Sequence, residues 1–345
     1  MVEPVDVSAL GALIRISFPE DAEPAFVENV RTAWSGALGD EREPDGTVEL
    51  FPGDEEHVLE DLSMRVTLEA LGQRRGELVM FHAAGVADEE GRVVAFVGPS
   101  GRGKTTLSRT LSRTYGYISD ETIGVDRDLT VLPYRKPLSV VRPDLPKKQV
   151  SPQEAGMRDL PAAPLRLSAL VLLERDADHE RSLVEPVPFL DAVSDLVPQL
   201  SYLSDLDAPL QTLAGLCDAV GGIRRLRYPD AEEVATLVPE LLATTPQERE
   251  WEAVPEAVTT GVFDTSPSRD AIAIEDKLVL LAGGQVQVLD GIAPEIWLSA
   301  HAGRDLDGIV ADVVSVFGEP EGADPRALVT AATDELVTAG ILARR

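Results

Sequence analysis

The chain has 345 residues, 44% of them hydrophobic, which suits two or three domains with real cores and excludes a disordered chain. Its formal charge of −29 excludes the basic footprint that non-specific binding to nucleic acid or anionic membrane needs. With Cys217 alone there is no intrachain disulfide or cysteine metal cluster, and with no basic leader or apolar run of about 18 residues the chain reads as a soluble cytoplasmic protein.

Residues 11–19 carry β-branched alternation up to Pro19 and predict a strand, and the spacing from Ala25 to Leu38 predicts a helix. Thr47 to Phe51 predicts a short strand. Leu62 to Arg75 predicts an amphipathic helix with Leu62, Val66, Leu68, Ala70 and Leu71 near one face. Glu77 to Val86 reads as a strand, and Asp88-Glu89-Glu90-Gly91 turns it into the apolar run Val93 to Val97, so the two strands are expected to be antiparallel neighbours.

The run from Val93 leads into Gly98-Pro99-Ser100-Gly101-Arg102-Gly103-Lys104-Thr105-Thr106, and a helical pattern begins at Leu107. Strand, G-x-x-x-x-G-K-T and helix together form a P-loop in its required context. The glycines let backbone N–H groups turn inward around a phosphate, and the helix N-terminus adds partial positive charge. Lys104 is expected to reach the β- and γ-phosphates, and the Thr105 hydroxyl to ligate Mg²⁺. One helix later, Tyr115 to Asp126 contains an apolar strand that ends at Asp120-Glu121, the expected acidic partner, since Mg²⁺ prefers oxygen ligands. If the strand continued past Asp120, Glu121 would point to the opposite face.

Leu129 to Arg142 follows as a strand with turns and a basic cluster, Arg135, Lys136 and Arg142, which invites a phosphate or substrate or else lies solvated in a loop. Leu145 to Pro164 is Pro-rich and aperiodic and reads as a mobile loop near the site. Leu165 to Glu174 predicts a strand, residues 188–204 and 208–220 helices, Ile223 to Tyr228 a basic strand and Asp230 to Leu242 a helix. Residues 244–268 read as a linker. Beyond it, three alternating strands (Ala271–Ile274, Lys277–Leu281, Gln285–Leu289) precede three helices, with Asp305 and Asp324 as N-caps and Gly340 as a stop, a winged-helix-like pattern. Six basic against thirteen acidic side chains leave residues 269–345 at −7, which argues against a DNA reader.

The run Phe81-His82-Ala83-Ala84-Gly85-Val86, the P-loop and Ile118-Ser119-Asp120-Glu121 together resemble the catalytic core of HPr kinase/phosphorylases and ATP-dependent phosphoenolpyruvate carboxykinases, over residues 60–240. The resemblance implies an α/β P-loop fold with a mixed sheet, Mg²⁺ and ATP as ligands, and phosphoryl transfer to a hydroxyl. It gives Lys104 and Thr105 their P-loop roles, makes Asp120 the metal-linked acid or base, and sets His82 near the phosphates. On its own residues His82 reads as a core histidine. Where HPr kinases carry two adjacent aspartates this chain has Ser119-Asp120, and no counterpart of the carboxykinase metal-binding Lys and His precedes the P-loop. The last 75 or so residues, through Leu289-Asp290-Gly291-Ile292-Ala293-Pro294-Glu295-Ile296-Trp297, resemble PqqD-like domains, which hold a leader peptide as a strand added to a hairpin edge. The expected organisation is thus an N-terminal α+β region (1–60), an HPr kinase-like ATP-binding core (61–243), a linker (244–268) and a PqqD-like peptide-binding module (269–345). The expected activity is a kinase acting on a peptide or protein hydroxyl. An ATP-binding scaffold or a small-molecule kinase are the alternatives, and since relatives of the kinase core assemble, a homo-oligomer is within the resemblance.

Overall fold

Val5, Val7 and Ala9 are buried at every second position, which makes β1 (Val5–Ala9) a strand in a computed structural model whose described residues are 2–51, 53–255, 261–266 and 268–345. It forms a hairpin with β2 (Ala12–Ser17), turned at Leu10 and Gly11 with φ of 53° and 75°. Sequence reading finds β2 but not β1. After α1 (Pro24–Ala33), β3 (Gly46–Glu49) joins β2 in parallel. The Asp54 carboxylate accepts from the His57 N–H and caps α2 (Glu55–Gln73), which starts seven residues before the expected Leu62. Leu62, Val66, Ala70 and Leu71 are buried as expected, but Leu68 is 56% exposed and lies off that face. These elements share one core with Leu78, Met80 and Tyr134.

The main sheet is mixed, in the order β12 (Leu183–Val187), β14 (Ile223–Tyr228), β11 (Arg166–Arg175), β5 (Arg92–Val97), β4 (Val79–Ala87), β7 (Thr122–Val125), β8 (Val131–Leu132). Its central strands are β4 (Val79–Ala87) and β5 (Arg92–Val97), antiparallel across the Asp88–Gly91 turn as the sequence predicts. Gly91 sits there at φ 81°, where an added Cβ would lie 2.2 Å from the Pro164 carbonyl oxygen. After the P-loop and α3 (Lys104–Leu111), the chain returns as β6 (Gly116–Ser119) and β7 (Thr122–Val125), both antiparallel to β4, and β8 (Val131–Leu132) pairs with β7.

Only the first part of the stretch expected as a mobile loop is regular: β10 (Leu145–Val150) pairs with β9 (Leu138–Arg142) in a hairpin, while residues 151–164 follow without a named strand or helix. Side-chain bonds rather than apolar alternation hold it, with Gln149 Nε2 donating to Ser139 Oγ at 3.1 Å and Lys147 N to Glu60 Oε2 at 3.1 Å. On the other side of β5 come β11 (Arg166–Arg175), β12 (Leu183–Val187), α4 (Phe189–Leu196) and β13 (Leu200–Ser201). The helix expected over 188–204 therefore stops early; a short 3₁₀ turn holds Pro198, and β13 pairs with β4. Then follow α5 (Pro209–Ala219), β14 (Ile223–Tyr228), α6 (Ala231–Val234) and α7 (Val238–Leu242). Strands β5, β11 and β14 run parallel, and their core joins Phe96, Leu107, Leu111, Val171, Leu226 and Leu241.

Two compact units result, Met1–Leu206 with Leu216–Gln247, and Asp207–Gly215 with Glu248–Arg345, the division falling inside α5. In the second unit β15 (Trp251–Ala253), β16 (Phe263–Asp264), β17 (Ser268–Ile274), β18 (Lys277–Ala282) and β19 (Gln285–Leu289) precede α8 (Ala293–His301), α9 (Leu306–Phe317), α10 (Pro325–Thr338) and β20 (Ala343–Arg344). Trp251–Ala253, inside the expected linker, is a strand of the sheet β15-β17-β18-β19; residues 256–260 and 267 of that stretch lie outside the described residues. Asp305 and Asp324 cap α9 and α10 as expected. The core gathers Leu278, Leu280, Ile296, Trp297, Ile309, Val313 and Leu336.

Asp270 is 9% exposed, and its carboxylate accepts from the Leu210, Gln211 and Ala271 N–H groups and from Gln211 Nε2, at 2.8–3.0 Å. It caps the first turn of α5 from another strand. Asp270→Ala is expected to destabilise this unit by about 2 kcal/mol; an unchanged midpoint in urea unfolding followed by circular dichroism contradicts that role.

Candidate functional site

The site is built around the middle of β4. At His82 the strand changes partners, from β7 on its N-terminal half to β5 and β6 on its C-terminal half. The His82 carbonyl accepts from Gly98 N at 3.5 Å, and Ala83 N donates to the Glu121 carbonyl at 3.0 Å. Two adjacent residues thereby tie down both the start of the phosphate loop and the turn that carries the acids.

Gly101 and Gly103 take φ of 85° and 87°, which turns the loop into α3. A Cβ on Gly103 would lie 3.0 Å from the Tyr228 hydroxyl, which donates to the Arg102 carbonyl at 2.8 Å. Tyr228 was not singled out by the sequence, because only the parallel order β5-β11-β14 brings the end of β14 to the loop. Ser100, Arg102 and Thr106 are exposed. Lys104 is 7% exposed and donates to the Gly98 and Pro99 carbonyls at 2.5 and 3.1 Å. Burial depresses its pKa to about 8, against the opposing pull of Asp120 and Glu121.

Thr105 Oγ1 donates to Asp120 Oδ2 at 2.8 Å, and the buried Tyr117 hydroxyl donates to Asp120 Oδ1 at 3.0 Å. Burial and then the Asp120 charge push the Tyr117 pKa far up, so Tyr117 acts as a neutral donor. The strand does not continue past Asp120. Ser119 Oγ accepts from the Glu121 and Thr122 N–H groups, both at 3.1 Å, and this turn separates β6 from β7. Glu121 then pairs with Lys136 Nζ at 2.8 Å. Burial alone would depress Lys136, 3% exposed, but Asp120 and Glu121 hold its pKa above the usual lysine value.

The expected basic cluster does not form. Lys136 joins the acids, Arg135 is tied to Asp159 Oδ1 at 3.0 Å, and Arg142 goes to Glu56 and to the Pro146 carbonyl. Chain neighbours at 135 and 136 have different partners, and Arg142 lies on the β9–β10 hairpin. His82 is half-buried with Gln199 beside it; burial and the Lys104 charge lower its pKa, so its ring is neutral at pH 7.

Among the described residues no group of three or more His, Cys, Asp or Glu is placed to hold a metal ion. Thr105 and Asp120 supply a hydroxyl and a carboxylate, hard oxygens 2.8 Å apart, which fits a Mg²⁺ that takes its remaining ligands from phosphate and water. A cavity of about 410 Å³ borders the loop at Gly98, Pro99 and Arg102 and is walled by Glu174, Gln199 and Arg225. No described helix is long and apolar enough to cross a membrane.

No family model matches the chain. The ATP-dependent lipid A-core flippase of Francisella novicida is 37% identical over 97 residues, covering 26% of this chain. The flippase of Francisella tularensis subsp. holarctica strain OSU18 gives the same figures. The match spans 16% of the length of these curated relatives. Among solved structures, the Hpr(Ser) kinase/phosphatase from Coxiella burnetii is 14% identical, over 47% of this chain and 94% of that one, with a TM-score of 0.28.

The Lys104 environment sets a pH dependence. Phosphate groups are attracted by the charged ammonium, which prevails below about pH 8 and is lost above it. Affinity for a nucleoside triphosphate is expected to fall from pH 7 to pH 9, by up to about tenfold per unit above the pKa. A flat profile in isothermal titration contradicts the assignment.

Proposed function

We propose that the protein is an ATP-dependent kinase that transfers the γ-phosphoryl group to a Ser or Thr hydroxyl of a peptide or protein. The observation that carries this reading is the hydrogen bond between Thr105 and Asp120, which joins the P-loop helix to a carboxylate one helix downstream. Lys104 neutralises charge on the β- and γ-phosphate oxygens. Asp120 takes the acceptor proton at Oδ2 as the acceptor oxygen bonds to the γ-phosphorus. The bond from that phosphorus to the β,γ-bridging oxygen breaks, and ADP leaves with its electron pair. Thr105 and Asp120 would hold a Mg²⁺, which would supply charge neutralisation at the phosphates. Neutral His82 borders the phosphates as a hydrogen-bonding group.

The HPr kinase-like assignment of residues 61–243 and the PqqD-like, winged-helix assignment of residues 269–345 belong to the same proposal. The second is supported by the position of β19, the last strand in the order β15-β17-β18-β19, which leaves one backbone edge for an added peptide strand. Binding a leader there would raise the local concentration of the peptide's hydroxyl. A cytoplasmic setting and a homo-oligomer fit this picture.

A second reading, an ATP-binding scaffold without transfer, is favoured by Ser119: its hydroxyl serves the turn, and no second carboxylate stands where HPr kinases carry one.

The test is incubation with Mg²⁺ and ATP and the short peptides encoded beside the gene, followed by mass spectrometry. One added phosphoryl group that disappears with Lys104→Ala is the expected result. No added group, with ATP still bound, rejects the peptide kinase in favour of the scaffold or a small-molecule acceptor.

A further inference from the structure

A second cavity in the first unit, about 380 Å³, lies apart from the P-loop and is lined in part by Ser8, Asp40, Arg42 and Arg135 with Leu13 and Leu38. Arg135 is 8% exposed, yet its guanidinium is only partly used. Nη2 donates to the Arg158 carbonyl at 3.3 Å and to Asp159 Oδ1 at 3.0 Å. Among the described residues neither Nε, which is buried, nor Nη1 has a hydrogen-bond partner. The Asp159 side chain is 76% exposed, so water screens its hold on Arg135. The Ser8 hydroxyl also has no hydrogen-bond partner among the described residues.

Nε has no accessible surface and does not open on the cavity, so the donor that Arg135 can offer an anion there is Nη1, which has no acceptor among the described residues. Arg42, already engaged by Asp45 and the Gly11 carbonyl, adds positive charge to the wall, and Asp40 is the one carboxylate among the lining residues. The volume lies in the range of small-molecule sites and exceeds what a bare ion needs.

We propose that this cavity binds a small organic oxyanion, its carboxylate or phosphate paired with Arg135 and Ser8 and its carbon part against Leu13 and Leu38. The proposal does not rest on the kinase reading, and the cavity lining shares no residue with the P-loop.

Full-length Lys104→Ala protein, in which phosphate binding at the P-loop is weakened, is titrated calorimetrically with glycerol phosphate, inorganic phosphate and malonate. Saturable binding of glycerol phosphate or malonate that weakens about tenfold or more when Arg135→Gln is added supports the site, as expected for loss of a charge-assisted bond; the tighter probe identifies the headgroup. No saturable binding of either organic probe, or equal binding after Arg135→Gln, overturns the proposal. Should Arg135→Gln fail to fold, Asp40→Asn replaces it. Removing that opposing charge must tighten binding about threefold, and an unchanged constant overturns the proposal.

Discussion

Two consecutive backbone groups on β4, the His82 carbonyl and the Ala83 N–H, set the geometry on which the rest of the first unit depends. One receives the first glycine of the phosphate loop, and the other holds the turn after Asp120. Because β5 and β6 flank the same strand, the helix that begins at Lys104 and the acid at the end of β6 meet with Thr105 and Asp120 in contact. In an all-parallel sheet the acid would arrive on another strand after a longer crossover. Here a hairpin and one short helix suffice, and the local path keeps the closure entropy small.

Charge is arranged around that contact in a nearly dry setting. Lys104 and Lys136 face Asp120 and Glu121, and all but Glu121 are buried. Burying such groups singly would cost several kcal/mol each, so each needs partners that compensate its lost hydration. Lys136 has Glu121, and Asp120 has two hydroxyl donors. Among the described residues Lys104 bonds to two carbonyls of its own loop, positions from which a phosphate can draw it away. Lys104, whose pKa burial pulls down to about 8, is therefore held by bonds that a phosphate could replace.

Much of this was legible in the sequence where local rules govern. The P-loop, the antiparallel turn at Asp88–Gly91 and the capped helices of the second unit each follow from turn chemistry or from a cap at the right spacing. What escaped depended on long-range partners. Strand β10 is held by Gln149–Ser139 and Lys147–Glu60 bonds that no periodicity announces, and β15 exists because it pairs with β17. Arg135 and Lys136 look like one basic patch in the chain but serve different carboxylates in space. Ser119 looks like a lost aspartate, whereas its hydroxyl ends one strand and begins the next. The early start of α2 is readable: Asp54 followed by Glu55 and Glu56 is an N-terminal signal, and Val58 and Leu59 pack on the same core ahead of Leu62.

The central claim is that Thr105 and Asp120 form the metal-linked half of one nucleotide site. It is tested most directly by comparing ATP affinity with and without Mg²⁺ in the unaltered protein and in Asp120→Asn. The account predicts that Mg²⁺ tightens binding about tenfold or more in the first, and that Asp120→Asn removes this gain while leaving the metal-free affinity in place. An undiminished Mg²⁺ effect in Asp120→Asn would contradict it.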